Sequence, residues 1–306
     1  MITRLQRRQR RRFTRLVLLV LGIAAVSYLA FNFFSGSDSK NPVKQGIFSG
    51  QSKNLSLKDT VKNSLKETKG TYSVVILNLK TGESYSYNEH QSFEAGSLYK
   101  LWVMATVYRQ IQEGKISGDE TLTGDIASLN KKFNIASDSA EFTQGEISLT
   151  VKSALNQMIT ISHNYAALML TERIKLSSVA AFLKKNGFGE SAVGTGGDSP
   201  KSTASDIGLF YEKLYKGELA GEQYTLEMIE LLKNQQLDEG LPKYLPAGIK
   251  VANKTGDIGW FKHDGGIVFS ERGDYILVVM SESNSPGGAQ EKIAEISKAV
   301  YEYFNK

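Results

Sequence analysis

The sequence contains no cysteine, which excludes disulfide bonds, thiol catalysis and metal sites built on cysteine. Histidine is almost as scarce, because the chain has only three, His90, His163 and His263, and they lie far apart in sequence. Such isolated histidines do not form the ligand clusters that zinc requires. We therefore expect no bound metal and no cofactor, and any chemistry must use hydroxyls, amines and carboxylates.

Positive charge is concentrated at the N-terminus, and the rest of the chain has no net positive charge. Seven arginines and no acidic residue lie within the first 15 residues, and removing those seven charges from the formal net charge of +5 leaves −2 for the other 291 residues. A nucleic-acid-binding domain needs a basic patch on its folded body. The charge distribution therefore argues against a nucleic-acid partner.

A run of 19 uncharged residues, 16–34, follows these arginines and is long enough to cross a membrane as one helix. Arginines before the run predict that residues 1–15 form a cytoplasmic tail and that the chain continues outside. A cleaved signal peptide is the alternative, but the run is longer than the usual apolar region and its bulky end offers no small-residue cleavage site. We expect an uncleaved single-pass anchor in the cell membrane and a flexible stalk over residues 35–54. Residues 55–306 are expected to be a monomeric extracytoplasmic domain.

Strand patterns occur at both ends of residues 55–306, and helix patterns lie between them. Strands are expected over residues 72–79, 83–87, 249–254, 265–270 and 275–281. Helices are expected near residues 55–69, 97–113, 150–160, 165–175, 178–186, 203–216, 222–235 and 290–304. This order predicts an α/β fold of the α+β type. A five-stranded antiparallel sheet from both chain ends would pack against a helical lobe and leave a cleft for an active site.

The strongest local motif is Ser97-x-x-Lys100 at the start of an apolar helix. A spacing of three residues places both side chains on one face of a helix. The helix N-terminus favours negative charge near Ser97, and a neutral Lys100 amine could accept the hydroxyl proton. Lysine is normally protonated, so the site would have to desolvate it or place another cation nearby. Taken alone, the motif also fits an ordinary helix cap with a surface lysine.

Two further motifs follow in the same chain: Ser162-x-Asn164 after an apolar helix, and Lys254-Thr-Gly256 on a strand. The order and spacing of the three motifs are those of the penicillin-recognising serine enzymes. Residues 158–167, 213–219 and 232–268 closely resemble class A β-lactamases, and the resemblance covers residues 55–306. It implies a β-lactamase/DD-peptidase-like fold and a serine hydrolase that works through an acyl-enzyme.

The resemblance also implies catalytic roles for three residues. Ser97 would be the acylated nucleophile, and Lys100 would be the base that takes its proton. Ser162 would relay a proton toward the leaving nitrogen of the substrate. The remaining motif residues would bind the substrate, a β-lactam or a small molecule similar to a peptidoglycan stem peptide.

Substrate binding, by the same resemblance, would use both later motifs. Asn164 would hold Lys100 and the side-chain amide of the substrate, while Lys254 and Thr255 would bind its carboxylate. Gly256 completes the Lys-Thr-Gly motif. The backbone N–H groups of Ser97 and Asp257 would form the oxyanion hole.

One feature of class A β-lactamases is missing. Their deacylating glutamate lies in a Glu-x-x-Leu-Asn stretch, but the loop 188–201 is short and lacks it. Glu190 and Asp198 are the only carboxylates there, and we interpret both as solvated loop charges, with replacement of the missing base as the alternative. His263 and Asp264, which follow on the sheet, are interpreted as structural or rim residues.

These observations favour a β-lactamase-type serine hydrolase that hydrolyses the β-lactam amide, although deacylation could be slow. The absent glutamate keeps two alternatives open. One is a penicillin-binding D-alanyl-D-alanine peptidase or a related cell-wall amide or ester hydrolase. The other is a sensor of β-lactams or cell-wall fragments that stays acylated.

Overall fold

A computed structural model describes residues 55–194 and 198–306, which belong to one compact unit. The expected tail, membrane span and stalk lie outside these residues. Among the described residues, no helix is both long enough and apolar enough to span a membrane.

The described residues form nine strands, nine α-helices and one 3-10 helix. The strands are β1 (Thr71–Asn78), β2 (Ser84–Tyr87), β3 (Phe93–Glu94), β4 (Thr121–Asp125), β5 (Glu146–Thr150), β6 (Lys201–Ser202), β7 (Lys250–Ile258), β8 (Phe261–Phe269) and β9 (Tyr275–Glu282). The α-helices are α1 (Leu57–Ser64), α2 (Lys100–Gln112), α3 (Ile126–Lys132), α4 (Val151–Thr160), α5 (Asn164–Ile174), α6 (Leu176–Asn186), α7 (Ala204–Tyr215), α8 (Glu222–Lys233) and α9 (Pro286–Phe304). A short 3-10 helix, Gly96–Tyr99, directly precedes α2.

The main sheet has five antiparallel strands in the order β2-β1-β9-β8-β7, so strands from both ends of the chain lie side by side. The central strand β9 is almost entirely buried. Its alternate side chains enter two different hydrophobic cores, because successive residues of a strand point to opposite faces. Ile276, Val278 and Met280 pack with the helical lobe, and Leu277 and Val279 pack with α1 and α9.

The predicted five-stranded sheet and helical lobe are therefore confirmed, with corrected bounds. The first helix ends at Ser64, β7 continues to Ile258, β8 begins at Phe261 and α9 begins at Pro286. Three small features had no sequence prediction: the β4–β5 ribbon, the β3–β6 pair and α3. These elements are short, and periodicity carries little information over so few residues.

Candidate active site

Three parts of the fold meet at the candidate site: the 3-10 helix, the connection between α4 and α5, and β7. Two glycines allow the 3-10 helix to approach β7 closely. A Cβ atom added to Gly256 would lie 2.8 Å from the carbonyl oxygen of Ala95, and one added to Gly96 would lie 3.1 Å from the amide nitrogen of Asp257. Gly96 also has φ +49°, which side-chain-bearing residues rarely adopt. The approach places the backbone of the Ser97 segment beside that of Asp257.

Ser97 lies in the 3-10 helix, one turn before Lys100 opens α2. Its side chain is partly accessible, whereas the Lys100 side chain is buried. The expected arrangement, in which the serine begins the α-helix itself, is therefore corrected by one turn. The spacing of three residues still places both side chains on the same side of this segment.

The Lys100 amine has three partners from the α4–α5 connection. It lies 2.5 Å from the backbone oxygen of Ser162, 3.1 Å from the Ser162 hydroxyl oxygen and 2.7 Å from the Asn164 side-chain oxygen. Burial, together with the nearby charge of Lys254, lowers the pKa of Lys100 to about 7. Near neutral pH, Lys100 is therefore a neutral amine in a fraction of the molecules, and in these it can accept a proton.

Ser162 adopts an unusual backbone conformation, with φ +58°. For a residue with a side chain, this conformation costs about 1–3 kcal/mol and requires support from its surroundings. The support comes from Lys100, which hydrogen-bonds both the carbonyl and the hydroxyl of Ser162. Ser162 is not the cap of α5, because His163 is the N-cap of that helix and accepts a hydrogen bond from the Ala166 amide.

Lys254 approaches the Ser162 hydroxyl from the sheet, with its amine 3.1 Å from the hydroxyl oxygen. It also contacts Thr255 at the backbone oxygen (3.0 Å) and the hydroxyl (3.4 Å). Burial lowers the pKa of Lys254 to about 8, while the Asp264 carboxylate partly opposes that change. The Ser162 hydroxyl thus lies between two buried amines.

His263 and Asp264 are buried beneath the site and have structural partners, in agreement with the structural interpretation. The Ser281 amide donates to His263 Nδ1 (3.1 Å), so Nε2 carries the proton and donates to the Glu94 backbone oxygen (2.8 Å). Burial lowers the pKa of His263 to about 4. Asp264 accepts from the Leu241 amide and the Asn253 side chain.

Glu190 does not face the motif residues, because its carboxylate is occupied elsewhere. It accepts a hydrogen bond from Thr203 Oγ1 (2.7 Å) and lies 2.8 Å from His90 Nδ1. These two partners lower the pKa of Glu190. Neither Glu190 nor Asp198 hydrogen-bonds a motif side chain in the described part of the chain.

A residue that the motifs did not indicate, Glu141, does reach the site. Its carboxylate oxygen accepts a 2.6 Å hydrogen bond from Asn164 Nδ2, on the opposite end of the amide that binds Lys100. Glu141 comes from the irregular segment between α3 and β5, where no periodic pattern exists. No sequence signal could have placed it beside Asn164.

The geometry therefore brings Lys100, Ser162, Asn164 and Lys254 into one connected hydrogen-bond network. The described residues include no group of histidine, aspartate and glutamate side chains that could hold a metal ion. The network can accept a proton from a nearby hydroxyl, pass it through Ser162 and hold an anionic group beside Lys254.

Comparisons with known proteins agree with this architecture. A family model described as the beta-lactamase enzyme family matches residues 56–304. The structure is similar to a β-lactamase from Sphaerobacter thermophilus (21% identity, 81% of this chain, 96% of that chain, TM-score 0.70) and to a protein named PBP-A (22%, 81%, 95%, 0.71). It is also similar to a class A β-lactamase from Bacteroides cellulosilyticus (23%, 81%, 97%, 0.68). At these identities the likenesses show the fold alone. A comparison with curated proteins found no match.

Proposed function

Because this chain belongs to the β-lactamase enzyme family, we propose that it is a serine hydrolase that β-lactams acylate at Ser97 and that hydrolyses the resulting ester slowly. The observation that carries the proposal is the buried network in which Lys100 and Lys254 both contact the Ser162 hydroxyl. A purely structural role would not require two adjacent buried amines, because each is costly to desolvate.

Acylation begins when Ser97 Oγ attacks the lactam carbonyl and its proton passes to the neutral Lys100 amine. The hydrogen bonds of Lys100 suit both of its protonation states. As an ammonium it donates to all three oxygens. As an amine it donates to the Ser162 backbone oxygen and the Asn164 oxygen, which leaves its lone pair for the Ser97 proton.

The lactam C–N bond then breaks, and the leaving nitrogen receives a proton from Ser162, which is replenished from Lys100. The positive charge of Lys254 beside Ser162 favours this transfer and provides a partner for the substrate carboxylate, together with Thr255. The backbone N–H groups of Ser97 and Asp257, on the two segments that Gly96 and Gly256 bring together, would stabilise the oxyanion.

Deacylation requires a base that orients and deprotonates water. The tethering of Glu190 by Thr203 and His90 supports slow hydrolysis, because this carboxylate is already bound elsewhere. The same observation favours a second candidate function, a penicillin-binding D-alanyl-D-alanine peptidase or related cell-wall hydrolase. If the acyl group is never released, the protein is instead a sensor of β-lactams or cell-wall fragments.

Mass spectrometry of the intact protein after penicillin addition tests the proposal. We expect an adduct that maps to Ser97, is absent in Ser97→Ala and disappears slowly. Product release should show a burst of one product per enzyme and then a phase about 10³-fold slower, a barrier difference of roughly 4 kcal/mol. Glu190→Gln should leave the slow phase nearly unchanged. An adduct on Ser162, or labelling that survives Ser97→Ala, would show that the nucleophile is wrongly assigned.

The uncharged run 16–34 supports a further part of the proposal, that this run anchors the catalytic domain outside the cell membrane. Protease added to intact cells should then cleave in the stalk near residues 40–50. Recovery of the catalytic domain in the cytosolic fraction would contradict the orientation. A mature N-terminus near residue 35 would identify a signal peptide instead.

A further inference from the structure

Glu141 introduces a negative charge at the part of the site that, under the proposed function, binds the substrate's side-chain amide. Asn164 Nδ2 carries two hydrogens, and one of them is donated to Glu141 (2.6 Å). The second hydrogen is left for a substrate carbonyl. Glu141 and that carbonyl would therefore share one nitrogen atom, which places the next atoms of the substrate side chain beside the carboxylate.

The segment that carries Glu141 is held in place by the residue after Asn164. The Tyr165 hydroxyl donates to the backbone oxygen of Phe142 (2.7 Å) and accepts from its amide (3.2 Å), and the Asn130 side chain donates to the same backbone oxygen (2.8 Å). Tyr165 and Asn130 are buried, and the Tyr165 ring packs against that of Phe142. The backbone beside Glu141 is therefore held in place, and the Asn164 hydrogen bond orients the carboxylate.

No basic side chain among the described residues pairs directly with Glu141, although its charge raises the pKa of the nearby Lys100. Glu141 is exposed and forms no ion pair with another described residue, and its contact with Asn164 involves a neutral amide. The adjacent Phe142 side chain is 54% exposed, so the carboxylate has an aromatic surface beside it. A ligand with an ammonium group next to an apolar group would match both features.

We propose that Glu141 makes this site selective for acyl donors that carry a positive charge next to the amide carbonyl that Asn164 binds. The inference rests on the proposed function and specifies its substrate class. Attraction between two opposite unit charges about 5–6 Å apart in a partly solvated site should strengthen the binding of such a substrate by about tenfold. Substrates with a negative charge at the same position would be disfavoured by a similar factor.

Three penicillins with one skeleton provide the test: benzylpenicillin is neutral at the side-chain α-carbon, ampicillin carries an ammonium there, and carbenicillin carries a carboxylate. Second-order acylation rates of the full-length protein should favour ampicillin over carbenicillin. In Glu141→Gln that ratio should fall at least about tenfold, because the charge is lost while the Asn164 contact remains available. High salt should reduce the ratio in the unmodified protein, which gives a second measurement if the variant does not fold.

Glu271→Gln is the matched control. Glu271 is exposed in the turn after β8, and the pairing of Lys250 with Phe269 places that turn at the opposite end of β7 from Asp257, about 20 Å away. This variant should keep the ratio of the unmodified protein. An equal ratio in the unmodified protein and Glu141→Gln, with benzylpenicillin still acylating Ser97, would overturn the inference alone. Failure of all three penicillins to acylate would overturn the proposed function and the inference with it.

Discussion

Under the proposed function, Lys100 and Lys254 require opposite protonation states during acylation. Lys100 must be neutral to accept the Ser97 proton, and Lys254 must be charged to bind a carboxylate. Their pKa values are about 7 and about 8. The acylation rate should therefore rise with pH through about 7, where Lys100 loses its proton, and fall above about 8, where Lys254 does. Because the two amines are adjacent, the rising and falling limbs of this pH profile report apparent pKa values of the coupled pair and not of either lysine alone.

Stopped-flow acylation between pH 5.5 and 9.5 measures both limbs. Glu141 raises the pKa of Lys100 through its charge, so Glu141→Gln should move the acidic limb to lower pH. Lys254→Arg should move the alkaline limb upward, because the guanidinium does not titrate in this range. A rate that falls between pH 6 and 7.5 would contradict the assignment of Lys100 as the base.

At the scale of elements, the proposed oxyanion hole depends on the distance between the 3-10 helix and β7. Gly256→Ala would place a Cβ atom 2.8 Å from the Ala95 oxygen and 3.0 Å from Leu98 Cγ, so the two segments must separate. If one N–H donor is lost as a result, acylation should slow by about 10²-fold. Gly118→Ala is the control, because its added Cβ meets no atom within 4 Å.

Both variants should be compared by melting temperature as well as by acylation rate. A shift of the oxyanion donors predicts a large loss of rate in Gly256→Ala while most molecules remain folded at the assay temperature. An unchanged acylation rate in a folded Gly256→Ala protein would show that the close approach does not form the site.

Comparison of the observed elements with the predicted ones shows how much of the structure could be predicted from the sequence. Alternating and helical periodicity predicted the sheet and most helices, and the family resemblance carried by the three motifs implied that they share one active site. The roles of the motif residues are still predictions. Periodicity could not reveal that β7 continues past Lys254, because Thr255, Gly256 and Asp257 interrupt the apolar pattern on an edge strand, where one side of the backbone needs no partner. Glu141 was missed because tertiary packing alone brings its irregular segment to Asn164.

At the scale of the whole molecule, the helical lobe is inserted between the two chain segments that build the sheet. Strand β1 pairs with β9 from Thr71–Glu282 to Asn78–Tyr275, so the lobe and the sheet share one core. We therefore expect the domain to unfold as one cooperative unit. Trp102 is fully buried in the lobe, while Trp260 is 64% exposed on the turn between β7 and β8.

Urea unfolding of Trp260→Phe tests this expectation, because the fluorescence then reports on Trp102. The transition should coincide with the loss of far-ultraviolet circular dichroism, which reports on the whole domain. Two separated transitions would mean that the lobe and the sheet unfold independently. The exposed position of Trp260 makes the substitution itself a small perturbation, within about 0.5 kcal/mol.

The pairing of β1 with β9 has a consequence for biosynthesis. Thr71 pairs with Glu282, and the segment of Ser97 packs against the backbone of β7. The ribosome therefore makes Ser97, the proposed nucleophile, long before it makes the strands that complete the site. A long-range closure of this kind is slow compared with local helix formation. A nascent or prematurely terminated chain would therefore carry Ser97 and Lys100 without the burial of Lys100 and without its lowered pKa. Under the proposed function, reactivity toward penicillin would thus appear only in chains that include β7–β9, and acylation would report on their correct folding.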